Sequence, residues 1–501
     1  MTTTLQKPPT RAVSPTRISG ATKRWWILAV LGVAQLMVVL DATVVTIALP
    51  TAQTDLGFSD NARQWIVTAY ALAFGSLLLI GGRIADIVGR KWVLLVGLLG
   101  FALASAVGGA AVNVGMLITA RAVQGVFAAL LAPAILSLLT TTFTEPEERN
   151  KAFGVFGAIA GAGASIGLLL GGFLTEYANW RWTMFVNLIF AAVALVGSWL
   201  LIEHSKSAHR AKLDLPGTLV VSGGLFALVY GFSHAETDGW ANGVTVGLLV
   251  AAGVLLTAFV ALQRGASHPL LPLRIVLDRN RGGAYIAMFM AAAGMFAVFL
   301  FLTYYLQTSL GYSAVRTGVA FLPMTGSLIV VASIASTILV SRVPSRILVP
   351  SGMLIASVGM YLLTNIGLTT SYATHVLPST ILLGIGLGLT FAPGFNLATL
   401  GVDASDSGVA SATVNTMQQV GGSVGTALLN TIAATAASTY ATAHAASARS
   451  LDLLQANAAI HSYTTAFWWA AGIFAIGAVI TALVLRPGVP QLNSEAAVVV
   501  H

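Results

Sequence analysis

Apolar runs of about 20 residues recur along the whole chain, separated by short polar connections, and nothing else in the sequence constrains the fold as strongly. A helix needs about 20 apolar residues to cross the hydrocarbon core of a bilayer. Inside that core every backbone N–H and C=O must be satisfied without water, so runs of this length form helices. Fourteen runs meet the requirement, at approximately 26–49, 64–82, 92–112, 115–139, 152–174, 183–202, 217–233, 243–262, 283–307, 316–340, 347–367, 376–400, 407–437 and 463–485. They are numbered spans 1 to 14. Only 8% of the residues are charged, too few to cover a water-exposed surface. The expectation is an all-α polytopic membrane protein with fourteen transmembrane helices.

Lys and Arg set the expected orientation, because they accumulate in cytoplasmic loops. With the N-terminus inside, 20 of the 25 fall in inner tails and loops, and Arg63, Arg181, Arg316 and Arg449 fall outside. Arg121 lies within a span. This split predicts an even number of spans with both termini cytoplasmic. The longest charged inner loops, 203–216 and 263–282, bracket spans 7 and 8. They divide the chain into a cytoplasmic tail (1–24), a six-helix bundle (25–203), an inserted pair with its loops (204–268), a second six-helix bundle (269–486) and a C-terminal tail (487–501). Two halves of six match the repeats common in secondary transporters.

Composition also excludes functions. The net charge of +8 follows from the one-sided Lys/Arg bias and carries no nucleic-acid signal. No cysteine is present, so disulfides, thiolate catalysis and thiolate metal sites are excluded. The eight His residues fall in loops, span ends or tails, His204 and His209 among them, and suggest no metal site. The first 24 residues are polar, and the apolar run after them is too long for a cleavable signal sequence.

Asp41 is the one acidic residue placed deep in a span. A carboxylate in the bilayer core costs several kcal/mol unless it is paired or hydrated, so its default reading is a proton, ion or substrate site. Arg121 is the matching anomaly in span 4. Asp41 lies 8 residues before Leu49, and Arg121 lies 6 residues after Gly115. At the helical rise these depths are roughly 12 and 9 Å from the outer ends. The two could pair if their helices touch, or Arg121 could snorkel to the outer interface. Burial alone would keep Asp41 protonated, and a nearby cation would favour release.

The loop after span 2 reads Gly81-Gly82-Arg83-Ile84-Ala85-Asp86-Ile87-Val88-Gly89-Arg90-Lys91. Gly81 and Gly82 suggest a tight turn, and Asp86 stands where the N-terminus of span 3 would favour an anion. The loop is either a solvated positive-inside connection or a charge cluster that latches the inner face. Span 5 carries Gly163, Gly167, Gly171 and Gly172, a small-residue face for close helix contact.

Taken together, these stretches resemble the major facilitator superfamily, and within it the 14-span drug:proton antiporters. Residues 40–50 resemble the span-1 motif, with Asp41 in its acidic position. Residues 82–91 resemble the loop motif, including Gly82, Arg83, Asp86, Gly89, Arg90 and Lys91. Residues 121–129 resemble the span-4 motif, with Arg121, Gln124 and Gly125. Residues 167–172, followed by Trp180-Arg181-Trp182 and Asn187, resemble the antiporter motif, except that Leu168 replaces its Pro. Without that Pro, span 5 should be stiffer. Further matches are Leu213-Asp214-Leu215-Pro216-Gly217, Tyr304-Tyr305-Leu306-Gln307, Gly311-Tyr312-Ser313 and the stretch from Gly384 to Asn430. In the second half, Ser341-Arg342-Val343-Pro344-Ser345-Arg346 has lost the loop motif's acid.

The resemblance implies a major facilitator fold and export of an amphipathic drug, antibiotic or metabolite in exchange for protons. Asp41 and Arg121 would couple to the proton motive force, with no cofactor, no catalytic residue and a monomeric assembly. Facilitated flow or uptake without proton exchange is the alternative. A polytopic enzyme or a channel fits less well, since the spans hold one deep acid and no His pair. The cavity should be lined by spans 1, 2, 4, 5, 9, 10, 12 and 13. Its polar and aromatic candidates are Gln35, Tyr70, Phe127, Phe299, Tyr305, Phe391, Asn396, Asn415 and Gln418, each of which could instead serve helix packing.

Overall fold

The computed structural model describes residues 20–58, 60–203, 214–266, 269–447 and 450–488. Lys7, Arg11, Arg17, His204, Lys206, His209, Arg210, Lys212, Leu213, Arg449 and most of the C-terminal tail lie outside them. Among the described residues the regular structure is helical, and fourteen helices are long and apolar enough to cross a membrane. These are Thr22–Leu49, Trp65–Val88, Arg90–Gly109, Val114–Thr142, Pro146–Tyr177, Trp182–Leu201, Leu215–Ala235, Gly243–Gly265, Arg279–Ser309, Val315–Leu339, Ser345–Leu363, Tyr372–Thr399, Ser407–His444 and Leu451–Val484. They correspond one to one to the expected spans.

Polar residues at the breaks cap several of these helices. Asn113 accepts from Met116 N at the start of span 4, Asp214 from Gly217 N at span 7, and Asp278 from Asn280 N and Arg281 N at span 9. Each cap satisfies N–H groups that have no partner within the helix. Asp214 also accepts from Gln263 Nε2 at 2.7 Å, which ties span 7 to the end of span 8.

Four boundaries differ clearly from expectation. The first helix begins at Gly20, so residues 20–24 are not tail. Lys23 and Arg24 fasten this turn to Glu203 and Glu148. The Lys23 ammonium holds the Glu203 carboxyl below its usual range. Spans 13 and 14 outrun their apolar cores, span 13 reaching His444 and span 14 starting at Leu451. Ala-rich sequence is helix-competent, yet it scores weakly on a hydropathy ruler. Gly81 and Gly82 form no turn: both lie inside the second helix, Asp60–Val88, and the chain reverses at Gly89, where φ is +106°.

In the first six spans, span 2 packs on span 4, span 3 on spans 4 and 6, and span 1 on spans 5 and 6. In the last six, span 9 packs on spans 12, 13 and 14, span 11 on spans 12 and 14, and span 10 on span 12. Span 13 crosses over to spans 2 and 4, and span 5 crosses to spans 10 and 12. Span 7 lies against spans 2 and 13, with span 8 against span 7.

Close approach follows the glycines, since packing rather than hydrophobicity drives helix association in lipid. A Cβ on Gly81 would lie 2.0 Å from Ala129 O of span 4, and one on Gly82 would lie 2.5 Å from Gly408 O of span 13.

Both described chain ends sit at one end of the bundle. Lys23 and Arg24 meet the end of span 6 and the start of span 5. Arg149 at the start of span 5 meets the end of span 12. Arg281 donates to Leu400 O just beyond span 12, and Arg279 donates to Leu483 O and Val484 O. This is the Lys/Arg-rich end.

Candidate functional site

The two charges that sequence depth placed level with each other are bonded. Arg121 Nη1 donates to Asp41 Oδ2, joining span 4 to span 1. Asp41 is 0% exposed and Arg121 2%, so Arg121 does not snorkel. Gln124, one helical turn beyond Arg121, accepts from Arg121 Nη1 at 2.9 Å and donates to Asp41 Oδ1 at 3.1 Å. The Tyr70 ring from span 2 lies against the guanidinium, 4.3 Å from centroid to Cζ. Gly125 permits this closeness, because a Cβ there would lie 2.5 Å from Tyr70 O.

Asp41 also has a partner from span 6, which the sequence reading assigned no role. Asn187 Nδ2 donates to Asp41 Oδ1 at 2.7 Å. Ser105 of span 3 accepts from Gln124 Nε2 at 2.7 Å and from Asn187 Nδ2 at 3.4 Å. Depth along the helices was the available signal. Ser105 lies four residues before the end of span 3 and Asn187 five after the start of span 6, roughly 6 and 8 Å in. A buried charge is tolerable only when paired and hydrogen-bonded, and here the carboxylate is both.

The second constellation lies at the Lys/Arg-rich end, where the two halves meet. Asp86 was expected at the N-terminus of span 3, but it sits in the last turn of span 2 and faces span 13. Its Oδ1 accepts from Gly408 N at 3.1 Å and from Arg90 Nη2 at 3.3 Å. The partially positive N-terminus it meets is therefore that of span 13. Arg83, on the same helix, is buried. Lys91 belongs to another contact, donating to Trp199 O and Ile202 O at the end of span 6.

A further buried charge, on span 5, completes this end. Arg149 of span 5 donates from Nε to Asn396 Oδ1 and from Nη2 to Thr399 Oγ1, both at 2.8 Å. Its guanidinium also lies over Phe153. Asn396 donates in turn to Asn150 Oδ1 at 2.7 Å, and Ser137 bonds Ser407 at 2.8 Å. Sequence reading counted Arg149 as one more inner-loop cation, because its partners lie about 250 residues away.

Span 5 runs as one helix through Leu168, which is buried. Its glycines serve two neighbours. A Cβ on Gly163, Gly167 or Gly171 would meet Val39 Cγ1 at 2.7 Å, Thr43 Oγ1 at 1.9 Å or Val44 Cα at 3.0 Å, all on span 1. Gly154, Gly157 and Gly161 are equally close to Ser336, Ala392 and Leu328 of spans 10 and 12. Gly172 is buried at the same helix end.

The cavity candidates divide. Phe127 is turned to the back of span 4, where a Cβ on Gly100 of span 3 would lie 2.3 Å from its ring. The Tyr305 hydroxyl donates to Gly367 O at 3.0 Å and bonds Thr370 Oγ1, fastening a loop. Asn396 belongs to the Arg149 contact, and Asn415 donates to Ser411 O within its own helix. These four were placed by helix membership, which does not fix the facing side. Gln35 Oε1 and the Tyr70 hydroxyl are buried without a hydrogen-bond partner among the described residues. Phe299 stacks on Phe321, Phe391 stacks on Phe395, and Gln418 is half-buried on span 13.

The family model described as Major Facilitator Superfamily matches residues 31–426. The chain is 49% identical over 461 residues to the puromycin resistance protein of Streptomyces alboniger, covering 91% of this chain and 90% of that protein. It is 38% identical over 408 residues to the cephamycin export protein of Amycolatopsis lactamdurans, covering 80% and 83%. The crystal structure of the human organic anion transporter MFSD10 superposes with a TM-score of 0.63, covering 91% of this chain and 99% of that one. At 13% identity that likeness concerns the fold alone.

Proposed function

The chain belongs to the Major Facilitator Superfamily, a family of membrane transporters and not of enzymes, and on that premise we propose that it exports an antibiotic or related amphipathic small molecule in exchange for protons. The relatives named for resistance to puromycin and for cephamycin export support the substrate class. The observation that carries the proton reading is Asp41, a fully buried acid bonded to Arg121, Gln124 and Asn187 in the middle of span 1's outer half. Both of its carboxyl oxygens accept from these donors. Substrate that displaces Arg121, or water that reaches the pair, changes which form is favoured.

The cycle would move one six-helix half against the other, with spans 7 and 8 inserted between them. At the Lys/Arg-rich end, which we assign to the cytoplasm of a plasma-membrane protein, span 2 and span 5 each offer a buried charge to the other half. Asp86 meets the N-terminus of span 13, and Arg149 meets the last turn of span 12. Both charges find the helix end of complementary sign. They would hold this end shut while the other opens, and part when it opens inward. Gln35, Tyr70, Phe299, Phe391 and Gln418 remain the residues proposed to contact substrate, and the working unit is proposed to be the monomer.

The test is proton release from purified protein on addition of puromycin, chosen from the relative's name. Wild-type protein should release protons, and Asp41→Asn should release none while retaining its fold. Release undiminished by Asp41→Asn would place the transported proton elsewhere. Transport without any proton movement would favour a facilitator.

A further inference from the structure

We infer that Ser105 and Asn187, on spans 3 and 6, are positioning residues that set the proton affinity of Asp41. The inference rests on the reading of Asp41 as the proton site and extends it to two helices outside the expected cavity lining.

The geometry begins at Ser105, which is fully buried. Its hydroxyl hydrogen is committed to Phe101 O at 2.8 Å, so its oxygen can only accept. It accepts from both amides, Gln124 Nε2 and Asn187 Nδ2. Each amide nitrogen has two hydrogens, and the second of each is aimed at Asp41 Oδ1. Gln124 Oε1 is held the same way round, because it accepts from Arg121 Nη1. One serine oxygen therefore fixes which end of two amides the carboxylate sees.

Every neighbour of Asp41 in this arrangement is a donor. Oδ1 accepts two N–H groups and Oδ2 accepts Arg121. These donors occupy both lone-pair sites of Oδ1 and one of Oδ2, so an arriving proton must compete with them or take the remaining Oδ2 site. Hydrogen bonds to the charged form favour that form. Arg121 from span 4 and Tyr70 from span 2 are the charged and titratable side chains at the site. Span 3 contributes Ser105, span 6 contributes Asn187, and span 5 faces span 1 with Gly163, Gly167 and Gly171. The donors that Ser105 orients are thus neutral groups that shift the balance without adding charge.

The experiment is infrared difference titration of purified full-length protein against pH, reading the carboxylic-acid carbonyl stretch. The probe is the proton itself, so no substrate is needed. The band belonging to Asp41 is the one lost in Asp41→Asn. In Ser105→Ala and in Asn187→Ala that band should persist to higher pH, its midpoint moved alkaline by about one pH unit, or about 1.4 kcal/mol. The sign follows from removing donors to the carboxylate: the charged form loses support, and the proton is held longer. Ser105→Ala removes a single oxygen and is the gentler variant should Asn187→Ala fold poorly. Ser105→Thr keeps the hydroxyl and should titrate near wild type. An Asp41 band whose midpoint is unmoved in both alanine variants would overturn this inference and leave the proton site standing. The absence of any titrating band lost in Asp41→Asn would overturn both.

Discussion

Asp41 and Arg121 are both buried and paired, so removing either leaves a charge that the site cannot hydrate. Breaking a buried pair by deleting one partner costs about 3–5 kcal/mol. Arg121→Ala should therefore lower the melting temperature and abolish the proposed proton-coupled export. Arg121→Lys keeps the charge but not the planar guanidinium whose Nη1 donates to both Asp41 and Gln124, and should retain partial transport. Thermal unfolding in detergent together with export by cells separates the two variants. Equal loss in both would mean that the guanidinium's geometry, rather than the charge, supports Asp41. The inner end offers a second residue-scale test. Asp86→Asn keeps an oxygen for Gly408 N but loses the charge that meets the N-terminus of span 13. Such charge–dipole contacts are worth up to about 2 kcal/mol. Turnover should fall several-fold at near-normal abundance, and an unchanged rate would reduce Asp86 to a structural cap.

Span 5 is the element on which both halves converge. Its glycines at 163, 167 and 171 face span 1, and those at 154, 157 and 161 face spans 10 and 12. Gly167→Val places a branched side chain where Thr43 Oγ1 already sits, and Gly171→Val places one against the backbone of Val44. Both should displace span 1, and Asp41 with it, and so reduce export before abundance collapses. Wild-type transport by both variants would show that span 1 can retreat without disturbing its acid. Leu168→Pro tests the departure from the antiporter motif. A proline inside a continuous helix removes one hydrogen bond and costs about 3 kcal/mol. Leu168 is buried in an unbroken helix, so the substitution should lower stability measured by thermal unfolding. A stable variant with altered proton-to-substrate ratio would instead mean that a kink at this place tunes coupling.

At the scale of the whole molecule the testable matters are topology and the movement of the halves. A reporter fused to the C-terminus should be active only in the cytoplasm, as should one at the N-terminus; activity outside would invert the assignment of the Lys/Arg-rich end. The absence of cysteine permits spin labels on an unmodified background. Labels near the ends of spans 5 and 12 should move apart when Arg149→Gln weakens the contact with Asn396 and Thr399, and unchanged distances would remove Arg149 from the latch. The number of helices and their order were legible in the sequence, because lipid demands long apolar helices and each leaves its own run of residues. So were Asp41 and Arg121, since a charge stands out against an apolar span, and their equal depth follows from a fixed rise per residue. What only the tertiary structure decided is which faces meet. Helix membership put Phe127 and Tyr305 among the cavity candidates, and packing turned one to span 3 and the other to a loop. Ser105 and Arg149 carry no local mark of their roles, for neutral polar residues and span-end cations are common, and the motif that includes Asn187 does not say what its side chain touches. Their partners lie on helices far away in sequence, and a hydrogen bond between distant helices is specified by the packing of both.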